Sequence, residues 1–452
     1  MQGRGKPVDL NININISNEA GRVIDTLEAN GFEAYAVGGC VRDSVMGKVP
    51  EDWDICTSAL PEQTAGCFPE SHIIETGLKH GTITVITNSI PVEVTTYRID
   101  GDYSDNRHPD SVRFVRELEG DLSRRDFTIN AMAYNHGRGL IDFFGGVSDI
   151  ERKIIRCVGE ADKRFREDSL RIMRALRFAS ALGFTIDEET SGAILRNKEL
   201  LGNIAVERIS VELNKMLVGE NVKDILLFYT QIIEKIIPEI TDMIGFKQNN
   251  PHHIYDVWRH TVESITMIPA DHVLRLTMLL HDIAKPGCYT ETDSVGHFHG
   301  HQQPGSDMAG DILRRLKYPN STIDTVKKLV LYHDAVILPD ARHIKRRLSR
   351  LGENGLRLLL MVKRADIMAQ SEFLRKEKLE SLDKVKLVLD EIIRQRQCFS
   401  MKDLAVGGRD LIDAGIPEGA EVGSCLNRLL KLVIDESVEN RKEDLLEILK
   451  TF

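Results

Sequence analysis

A change of hydrophobic periodicity near residue 150 is the feature that most limits how this chain can fold. Residues 20 to about 150 alternate helical stretches with short β-forming runs, among them EAYAVGG, DWDICTS, GTITVIT and PVEVTTYRI. After Ile150 these runs stop, and apolar residues recur at the i, i+3 and i+4 spacing of amphipathic helices. The sequence therefore predicts an α+β protein with an N-terminal head, built on a mixed β-sheet and helices, and all-α domains after it.

The length of the chain requires more than one hydrophobic core. A single core rarely serves 452 residues, so we expect two to four domains. The pattern places the head at 1–150 and the helical domains at 151–245, 246–385 and 386–452.

The cysteines and the apolar runs indicate a compartment. The seven cysteines are scattered without a CxxC pair, which argues against a zinc ribbon or a disulfide framework and favours a reducing cytoplasm. No run reaches the roughly 18 apolar residues of a membrane span, and the N-terminal stretch lacks a long apolar run. We therefore expect a cytoplasmic protein that is neither secreted nor membrane-inserted.

Charge is distributed unevenly. The formal net charge of −10 at first argues against a nucleic-acid partner. Between Arg342 and Arg364, however, eight Lys or Arg residues stand against the single acid Glu353. This basic cluster predicts either an RNA anchor or a solvated helix face. The segment from Met401 onward, with seven cations and eleven acids, is a poorer anchor.

Two aspartates separated by one tryptophan predict a metal site. If DWD at 52–54 is a strand, Asp52 and Asp54 point to the same face, and their carboxylates repel unless a divalent cation lies between them. Oxygen ligands favour Mg²⁺, with substrate phosphates completing its coordination. Glu93 in PVEVTTYR is the candidate third carboxylate, on a neighbouring strand. An ordinary exposed strand is the alternative.

The residues before this pair fit a phosphate-binding turn. Gly38 and Gly39 follow a short apolar strand in AVGGCVRD, and residues without Cβ allow a triphosphate to approach the backbone. Arg42 can neutralise phosphate charge. The stretch thus predicts a nucleotide site beside the carboxylates.

A second stretch carries groups suited to reading a base. In REDSLRIMRALR (166–177), helical spacing places Asp168, Arg171 and Arg174 on one face, with Arg177 one step further. A carboxylate and a guanidinium together provide the acceptor and the donors that a base edge requires. A salt-bridged surface helix is the alternative.

With GGCVRD, DWD and RRDFTINA at 124–131, this helix closely resembles the class II tRNA nucleotidyltransferases, the CCA-adding enzymes, of the family that also includes bacterial poly(A) polymerases. The resemblance covers nearly the whole chain, with four motifs in order. It implies that Asp52 and Asp54 bind Mg²⁺ and that Gly39 and Arg42 contact the triphosphate. The other implied roles are ribose recognition by Arg125 and Asp126, base pairing by Asp168 and Arg171, further nucleotide contacts by Arg174 and Arg177, and orientation of Arg171 by Glu167.

The resemblance also implies a substrate and a reaction, the addition of CCA to tRNA from CTP and ATP. A flexible loop between DxD and RRD assists the switch from CTP to ATP in this family, and residues 98–114 have the composition of such a loop. Its presence favours full CCA addition over CC addition. An A-adding enzyme, a poly(A) polymerase and a non-catalytic RNA-binding protein are the alternatives.

A second set of polar residues lies between 260 and 366. Histidine and aspartate on helices of a bundle can converge on a metal, and the adjacent HD at 281–282 places both ligand types at one point. The set comprises His260, His281, Asp282, His301, His333 and Asp366. By contrast, we interpret His252, His253, His297 and His299 as ordinary packed residues.

This set resembles the HD phosphohydrolase superfamily. The resemblance implies an HD domain with phosphatase or cyclic phosphodiesterase activity on RNA ends, and with it a role in repair. One ion would use His260, His281, Asp282 and Asp366, and a second ion would use His301 and His333. The donors suit Mn, Ni, Co, Fe or Zn. A chain dominated by this hydrolase, with a head that only binds nucleotide, is a further alternative.

Overall fold

The computed structural model describes residues 12–101 and 111–450. The chain divides into two compact units, Met1–Ile236 and Ile237–Phe452. Within the described residues, no helix has both the length and the apolar character required to cross a membrane. Most of the predicted loop at 98–114 lies outside the described residues.

Strands are concentrated in the first unit. They are β1 Ala34–Val37, β2 Asp54–Thr57, β3 His72–Ile74, β4 Thr82–Thr87, β5 Ile90–Thr96, β6 Arg98–Asp100, β7 Val112–Phe114, β8 Met132–Asn135, β9 Gly139–Asp142, β10 Ile154–Ile155, β11 Thr185–Ile186, β12 Thr290–Thr292 and β13 Val295–His297. Seven of them form one sheet in the order β3-β4-β5-β2-β1-β8-β9. The β2–β5 pair is parallel and the other neighbours are antiparallel, so the predicted mixed sheet is confirmed.

Helices make up most of the remainder. They are α1 Asn18–Ala29, α2 Gly39–Val45, α3 Pro61–Cys67, α4 Leu118–Ser123, α5 Gly146–Arg152, α6 Ala161–Glu167, α7 Leu170–Leu182, α8 Glu188–Arg196, α9 Val206–Leu217, α10 Val222–Phe228, α11 Thr230–Ile236, α12 Val257–Thr266, α13 His272–Leu280, α14 Gln302–Arg315, α15 Asn320–Tyr332, α16 Ala341–Ala369, α17 Arg375–Arg394, α18 Gly408–Asp413, α19 Ala420–Ile434 and α20 Lys442–Leu449. The described residues also contain 3₁₀ helices at Leu78–His80, Thr128–Asn130, Lys198–Asn203, Pro238–Met243, Pro286–Cys288 and Met401–Asp403.

Apolar side chains cover both faces of the large sheet. Along β1, Ala34 and Ala36 belong to one buried cluster, whereas Tyr35 and Val37 belong to another. The alternation follows from the period of two of a strand, and burial on both faces explains why β1 reads as a continuous apolar run. The edge where β2 begins is therefore held rigidly from both sides.

The expectation of a purely helical chain after residue 150 is wrong in two places. Short strands β10 and β11 pair in the first unit, and β12 and β13 form a hairpin in the second. Runs of two or three residues are too short to produce a detectable alternation in the sequence. Residues near the C-terminus have their own apolar cluster, which includes Leu411, Leu429 and Leu445. The four-domain division of the chain stays a prediction.

Candidate active site and metal centre

Two carboxylates lie together at one edge of the large sheet. Asp54 is the first residue of β2 and is the register partner of Glu93 on the parallel strand β5. Register partners on neighbouring strands project to the same face of a sheet. The predicted placement of Glu93 on a neighbouring strand is thus confirmed.

Asp52 lies outside the strand. Because β2 begins at Asp54, the expectation that both aspartates occupy one strand is wrong, and Asp52 reaches the site from the preceding bend. Loss of water raises the pKa of the Asp54 carboxyl; Arg125 opposes the shift, while Glu93 and Asp52 add to it. Arg125 offsets only part of the repulsion among these three carboxylates. Such a group of carboxylates is a donor set that fits a hard divalent cation.

Gly38 is the glycine that this turn requires. Its φ of 84° lies in the left-handed region, and a Cβ there would be only 3.0 Å from Nη1 of Arg125. By contrast, a Cβ on Gly39 would be 3.8 Å from Nη2 of Arg42, an ordinary contact. The backbone therefore approaches the Arg125 guanidinium closely at Gly38, immediately before α2.

A buried hydrogen-bonded chain joins α2, the RRD segment and α7. Arg42 donates from Nη1 to Oδ1 of Asn130 at 2.8 Å, and Asn130 donates from Nδ2 to Oδ1 of Asp126 at 3.0 Å. Oδ2 of Asp126 accepts from Nε of Arg174 at 2.8 Å. Burial alone would raise the pKa of Asp126, but Arg174 and Asn130 lower it, so the carboxylate is held ionised.

Three guanidinium groups surround the buried ring of Phe178. The centroid lies 3.9 Å from Cζ of Arg177, 5.1 Å from that of Arg42 and 5.3 Å from that of Arg174. Glu212 on α9 lies 3.0 Å from Nε of Arg177. Phe178 and Glu212 were not predicted as site residues. A buried aromatic residue on an amphipathic helix is expected to belong to the hydrophobic core, and its contacts with the three arginines are seen only in the structure.

Asp168 does not lie on the same helix as the arginines. It ends α6 in an extended conformation, and its Oδ1 accepts from the backbone N–H of Leu170, at the start of α7, at 3.1 Å. Aspartate competes in this way with helix continuation, so the single helix predicted across 166–177 is broken here. Oδ2 of Asp168 lies 3.3 Å from Nη2 of Arg208, another residue not predicted.

Arg171 is buried and held at both amino groups. It donates from Nη1 to Oε2 of Glu167 at 2.9 Å, the contact expected from the resemblance, and from Nη2 to the carbonyl of Arg124 at 2.9 Å. The second bond ties α7 to the RRD segment. The guanidinium plane is therefore fixed before any nucleotide binds.

The six histidines and aspartates predicted in the second unit converge, and we call them the HD centre. Two groups of potential metal ligands each have all their ligand atoms within 4.8 Å of one another. They are His260, His281 and Asp366 in one, and Asp282, His301 and His333 in the other. Among the described residues, the head carboxylates do not form a group this tight.

Asp282 lies between the two groups. Its Oδ2 is 3.2 Å from Nε2 of His281 and 3.5 Å from Nε2 of His260. Its Oδ1 is 3.6 Å from Nε2 of His301 and 3.5 Å from Nε2 of His333. The sequence predicted Asp282 as a ligand of the first ion only. In the structure this carboxylate faces both groups of potential ligands.

The far ring nitrogens of the histidines are anchored to the backbone. Nδ1 of His281, His301 and His333 each lies 2.7 Å from a carbonyl oxygen three residues earlier in the chain. A carbonyl requires N–H at this position, so in the neutral imidazole Nε2 is the lone-pair nitrogen aimed at the centre. That tautomer is the one that a metal ligand needs.

Two carboxylates, Asp282 and Asp366, bring negative charge to the centre, where Lys285 and the imidazoles face them. Burial would raise the pKa of Asp282, but His281 and Lys285 hold it well below its usual range. Nζ of Lys285 lies 2.7 Å from Oδ2 of Asp282, and no other hydrogen bond among the described residues satisfies the buried oxygens of this carboxylate or Nε2 of His281. Imidazole nitrogens and carboxylate oxygens gathered in this way are a donor set that fits a divalent transition-metal ion.

A polar cavity of about 230 Å³ opens onto this centre. Besides four of the predicted ligands, it is lined by His253, Lys285, His297 and His299. The expectation that His253, His297 and His299 are ordinary packed residues is therefore wrong as to position, because each faces this cavity. Their position depends on the fold around residues 250 and 298, which no local pattern indicates.

The basic cluster at 342–364 is largely compensated within its own unit. Arg346 lies 2.7 Å from Asp435, Arg357 2.7 Å from Asp390, and Arg364 2.8 Å from Asp383. Lys363 donates to the carbonyl oxygens of His333 and Ala335. These contacts favour the interpretation as a salt-bridged helix face over that as an RNA anchor.

Comparison with known families matches three parts of the chain. Residues 34–156 match the model "Poly A polymerase head domain", and residues 183–244 match "Probable RNA and SrmB- binding site of polymerase A". Residues 303–449 match a model for tRNA nucleotidyltransferase domain 2. Four residues of the HD centre, His260, His281, Asp282 and His301, lie outside these matches.

Curated relatives carry the name CCA-adding enzyme. The one from Geobacillus kaustophilus is 52% identical over 204 residues, which are 45% of this chain and 50% of that protein. The chain thus spans about half the length of the first such relatives. The one from Latilactobacillus sakei subsp. sakei is 34% identical over 433 residues, 96% of this chain and 97% of that protein.

Solved structures give the same relationship. The Bacillus stearothermophilus CCA-adding enzyme in complex with CTP is 31% identical, with a TM-score of 0.72 and 96% of each chain covered. The Thermotoga maritima CCA-adding enzyme complexed with tRNA_CCA is 20% identical with a TM-score of 0.58, a likeness of fold alone.

Proposed function

The chain belongs to the family of CCA-adding enzymes, and we propose that it transfers CMP and AMP from CTP and ATP to the 3′ hydroxyl of tRNA. The ribose oxygen bonds to the α-phosphorus, the bond from that phosphorus to the bridging oxygen breaks, and pyrophosphate leaves. The observation that carries the proposal is the edge formed by Asp54 and Glu93, with Gly38 and Arg125 beside it.

Enzymes of this family use a divalent metal ion, and we assign Mg²⁺ to Asp52 and Asp54, with Glu93 as third carboxylate. When bound, the ion would favour deprotonation of the attacking hydroxyl and offset charge on the leaving pyrophosphate. Strands β2 and β5 of the sheet keep Asp54 and Glu93 in place.

The cations around Phe178 are assigned to the triphosphate, because Arg42, Arg174 and Arg177 concentrate positive charge beside the Gly38 turn. The Gly39 backbone completes this contact. Arg125 and Asp126 are assigned to the ribose. Asp126 already accepts hydrogen bonds from the side chains of Asn130 and Arg174. Besides contacting the ribose, it would therefore position Arg174.

Asp168 and Arg171 are assigned to the base. The carboxylate would accept from the exocyclic amino group that cytosine and adenine share, and the guanidinium would donate to a ring nitrogen or carbonyl. Glu167 and the Arg124 carbonyl keep that guanidinium in one plane. Uracil and guanine carry a carbonyl oxygen where cytosine and adenine carry that amino group, and the carboxylate would repel it, which accounts for their exclusion.

One experiment distinguishes this function from its rivals. The purified full chain is incubated with tRNA ending at the discriminator base, with CTP, ATP or both, and the products are sequenced. We expect CC with CTP alone and CCA with both. An A-adding enzyme would extend only tRNA already ending in CC, a poly(A) polymerase would add many A residues, and a binding protein would add nothing.

The HD centre supports a second function, metal-dependent hydrolysis of phosphomonoesters or 2′,3′-cyclic phosphates, including those at RNA ends. The two ligand groups joined by Asp282 carry this proposal. Water oxygen bonds to phosphorus, the bond to the ribose oxygen breaks, and that oxygen takes the proton. Ions at the centre, among Mn, Ni, Co, Fe or Zn, would lower the pKa of the water.

The hydrolase is tested on 2′,3′-cyclic nucleotides and on RNA with cyclic-phosphate ends, in the presence of Ni²⁺, Mn²⁺, Co²⁺, Fe²⁺, Zn²⁺ or Mg²⁺. Ring opening and phosphate release are expected with at least one metal. Turnover with none of them would contradict the proposal. A cytoplasmic location and the division into head, neck, HD and C-terminal domains stay predictions.

A further inference from the structure

We infer that His297 and His299 form the surface on which the base of a nucleotide substrate stacks beside the HD centre. The inference rests on the proposed hydrolase function and adds the residues that select a nucleotide among phosphate esters. Neither histidine belongs to the two groups of potential metal ligands. Both line the cavity that opens onto the centre.

The two imidazoles form a flat wall. Their ring planes are 10° apart and their centroids 5.3 Å apart, an offset-stacked pair. His297 is half-buried and His299 is exposed, so one ring supports the other while a face remains open to the cavity mouth. Nucleic-acid bases stack on aromatic rings, histidine included, and such stacking tolerates any base.

The residue between them is anchored by other aromatic rings. Phe298 has its ring centroid 5.5 Å from that of Tyr289 and 6.4 Å from that of Phe246, and Nζ of Lys285 lies 5.3 Å from that centroid. These contacts hold the backbone between the two histidines, and all three residues line the same cavity.

The strand that ends at His297 is held firmly. Gly296 donates its N–H to the carbonyl of Asn249 at 2.8 Å, and its own carbonyl accepts from Nδ2 of Asn250 at 3.0 Å. A Cβ at Gly296 would overlap the backbone of Gln248. The hairpin of β12 and β13 is thus seated against the 248–250 segment, which is a rigid base for a stacking surface.

The position of the reacting phosphate suits a nucleoside. His301, one of the predicted ligands of the HD centre, follows His299 by two residues. A phosphate at the centre and a base on His299 would occupy one cavity, because His299, His301 and Asp282 all line it. Lys285, which also lines the cavity, places one cation on the anionic end of such a substrate.

The test compares substrates with and without a base. The full chain, loaded with the metal that gives the fastest turnover, hydrolyses adenosine 2′,3′-cyclic phosphate and methyl riboside 2′,3′-cyclic phosphate. His299→Ala is expected to raise KM for the adenosine substrate about tenfold, with kcat little changed. It should leave both constants for the base-free substrate unaltered, and His299→Phe should restore the low KM. His272→Ala, an exposed histidine at the start of α13, is the matched control.

Equal losses on both substrates, no loss on either, or failure of phenylalanine to rescue would overturn the inference. If the wild type hydrolyses nothing, the hydrolase proposal fails and binding decides the inference. Adenosine 2′-monophosphate would then be titrated into the metal-loaded chain. The same titration of the His281→Ala, Asp282→Ala double variant would measure binding that does not depend on the HD centre. Weaker binding by His299→Ala would support the stacking surface, and unchanged binding would remove it.

Discussion

At the scale of single residues, the charge on Asp54 gives the most direct test of the proposed metal site. Its pKa is raised by loss of water and by Glu93 and Asp52, and Arg125 is the cation that opposes these effects. Asp54→Asn keeps the shape of the side chain and removes the charge. We expect nucleotide addition to fall by about 10²-fold or more, as when a group stabilising transition-state charge is lost.

Binding of tRNA separates a catalytic loss from a general one. In a filter-binding measurement, Asp54→Asn and Asp52→Ala should retain nearly the affinity of the wild type, because the carboxylates serve chemistry. Substantial incorporation in Mg²⁺ by either variant would contradict the metal assignment.

Arg171 is expected to govern the choice of nucleotide. Arg171→Ala removes a guanidinium that Glu167 and the Arg124 carbonyl hold in place, and loss of a bidentate donor costs about 1 to 3 kcal/mol of discrimination. Misincorporation of UTP and GTP should rise accordingly in single-nucleotide assays. Glu167→Gln, which keeps a hydrogen-bond acceptor, should show a smaller rise. An equal loss of rate for all four nucleotides would indicate a structural role instead.

At the scale of elements, α7 is the helix on which the proposed nucleotide site depends. It carries Arg171, Arg174 and Arg177, and the turn after α9 packs directly against it. At that contact Gly219 is buried, and a Cβ there would lie 2.6 Å from the carbonyl oxygen of Ser180 and would overlap its Oγ. The close approach of the two backbones therefore requires glycine.

We expect Gly219→Ala to lower the free energy of unfolding by about 1 to 3 kcal/mol, because the added methyl group must displace the α7 backbone. Gly202→Ala is the control, since no heavy atom lies within 4 Å of a Cβ at that position. Thermal unfolding followed by circular dichroism would measure both. Equal transition temperatures for the two variants would mean that the contact accommodates a methyl group.

At the scale of the whole molecule, the chain divides after Ile236, with the head carboxylates in one unit and the HD centre in the other. A double variant, His281→Ala with Asp282→Ala, should therefore abolish hydrolysis of cyclic phosphates and spare CCA addition. Both activities would be measured on one preparation. Loss of CCA addition in this variant, with tRNA binding intact, would show that the two sites are coupled.

Metal binding should also stabilise the second unit. A ligand present at a hundred times its dissociation constant adds about 2.7 kcal/mol to the folded state. The transition temperature of the wild type should thus fall on chelation and recover when Mn²⁺ or Co²⁺ is added. The double variant should show neither change, because its centre retains too few ligands.

Much of the fold follows from local patterns. The strands that contain AYAV and TITVIT, and the helices after residue 150, were predicted because alternation and helical spacing depend only on near neighbours. The break at Asp168 was missed, since a side chain that takes up the N–H of Leu170 competes with the helix in a way that spacing does not show. The hairpin at 290–297 was missed because its strands are short.

Residue type and order are enough to predict which residues the proposed chemistry uses, since DxD, RRD and the HD pair are local patterns. How these residues meet depends on the packing of distant segments. Asp282 faces both ligand groups, Phe178 gathers three arginines, and His297 and His299 turn toward a cavity. Local propensity acts over a few residues, whereas these arrangements depend on packing between segments far apart in the chain, which no single stretch encodes.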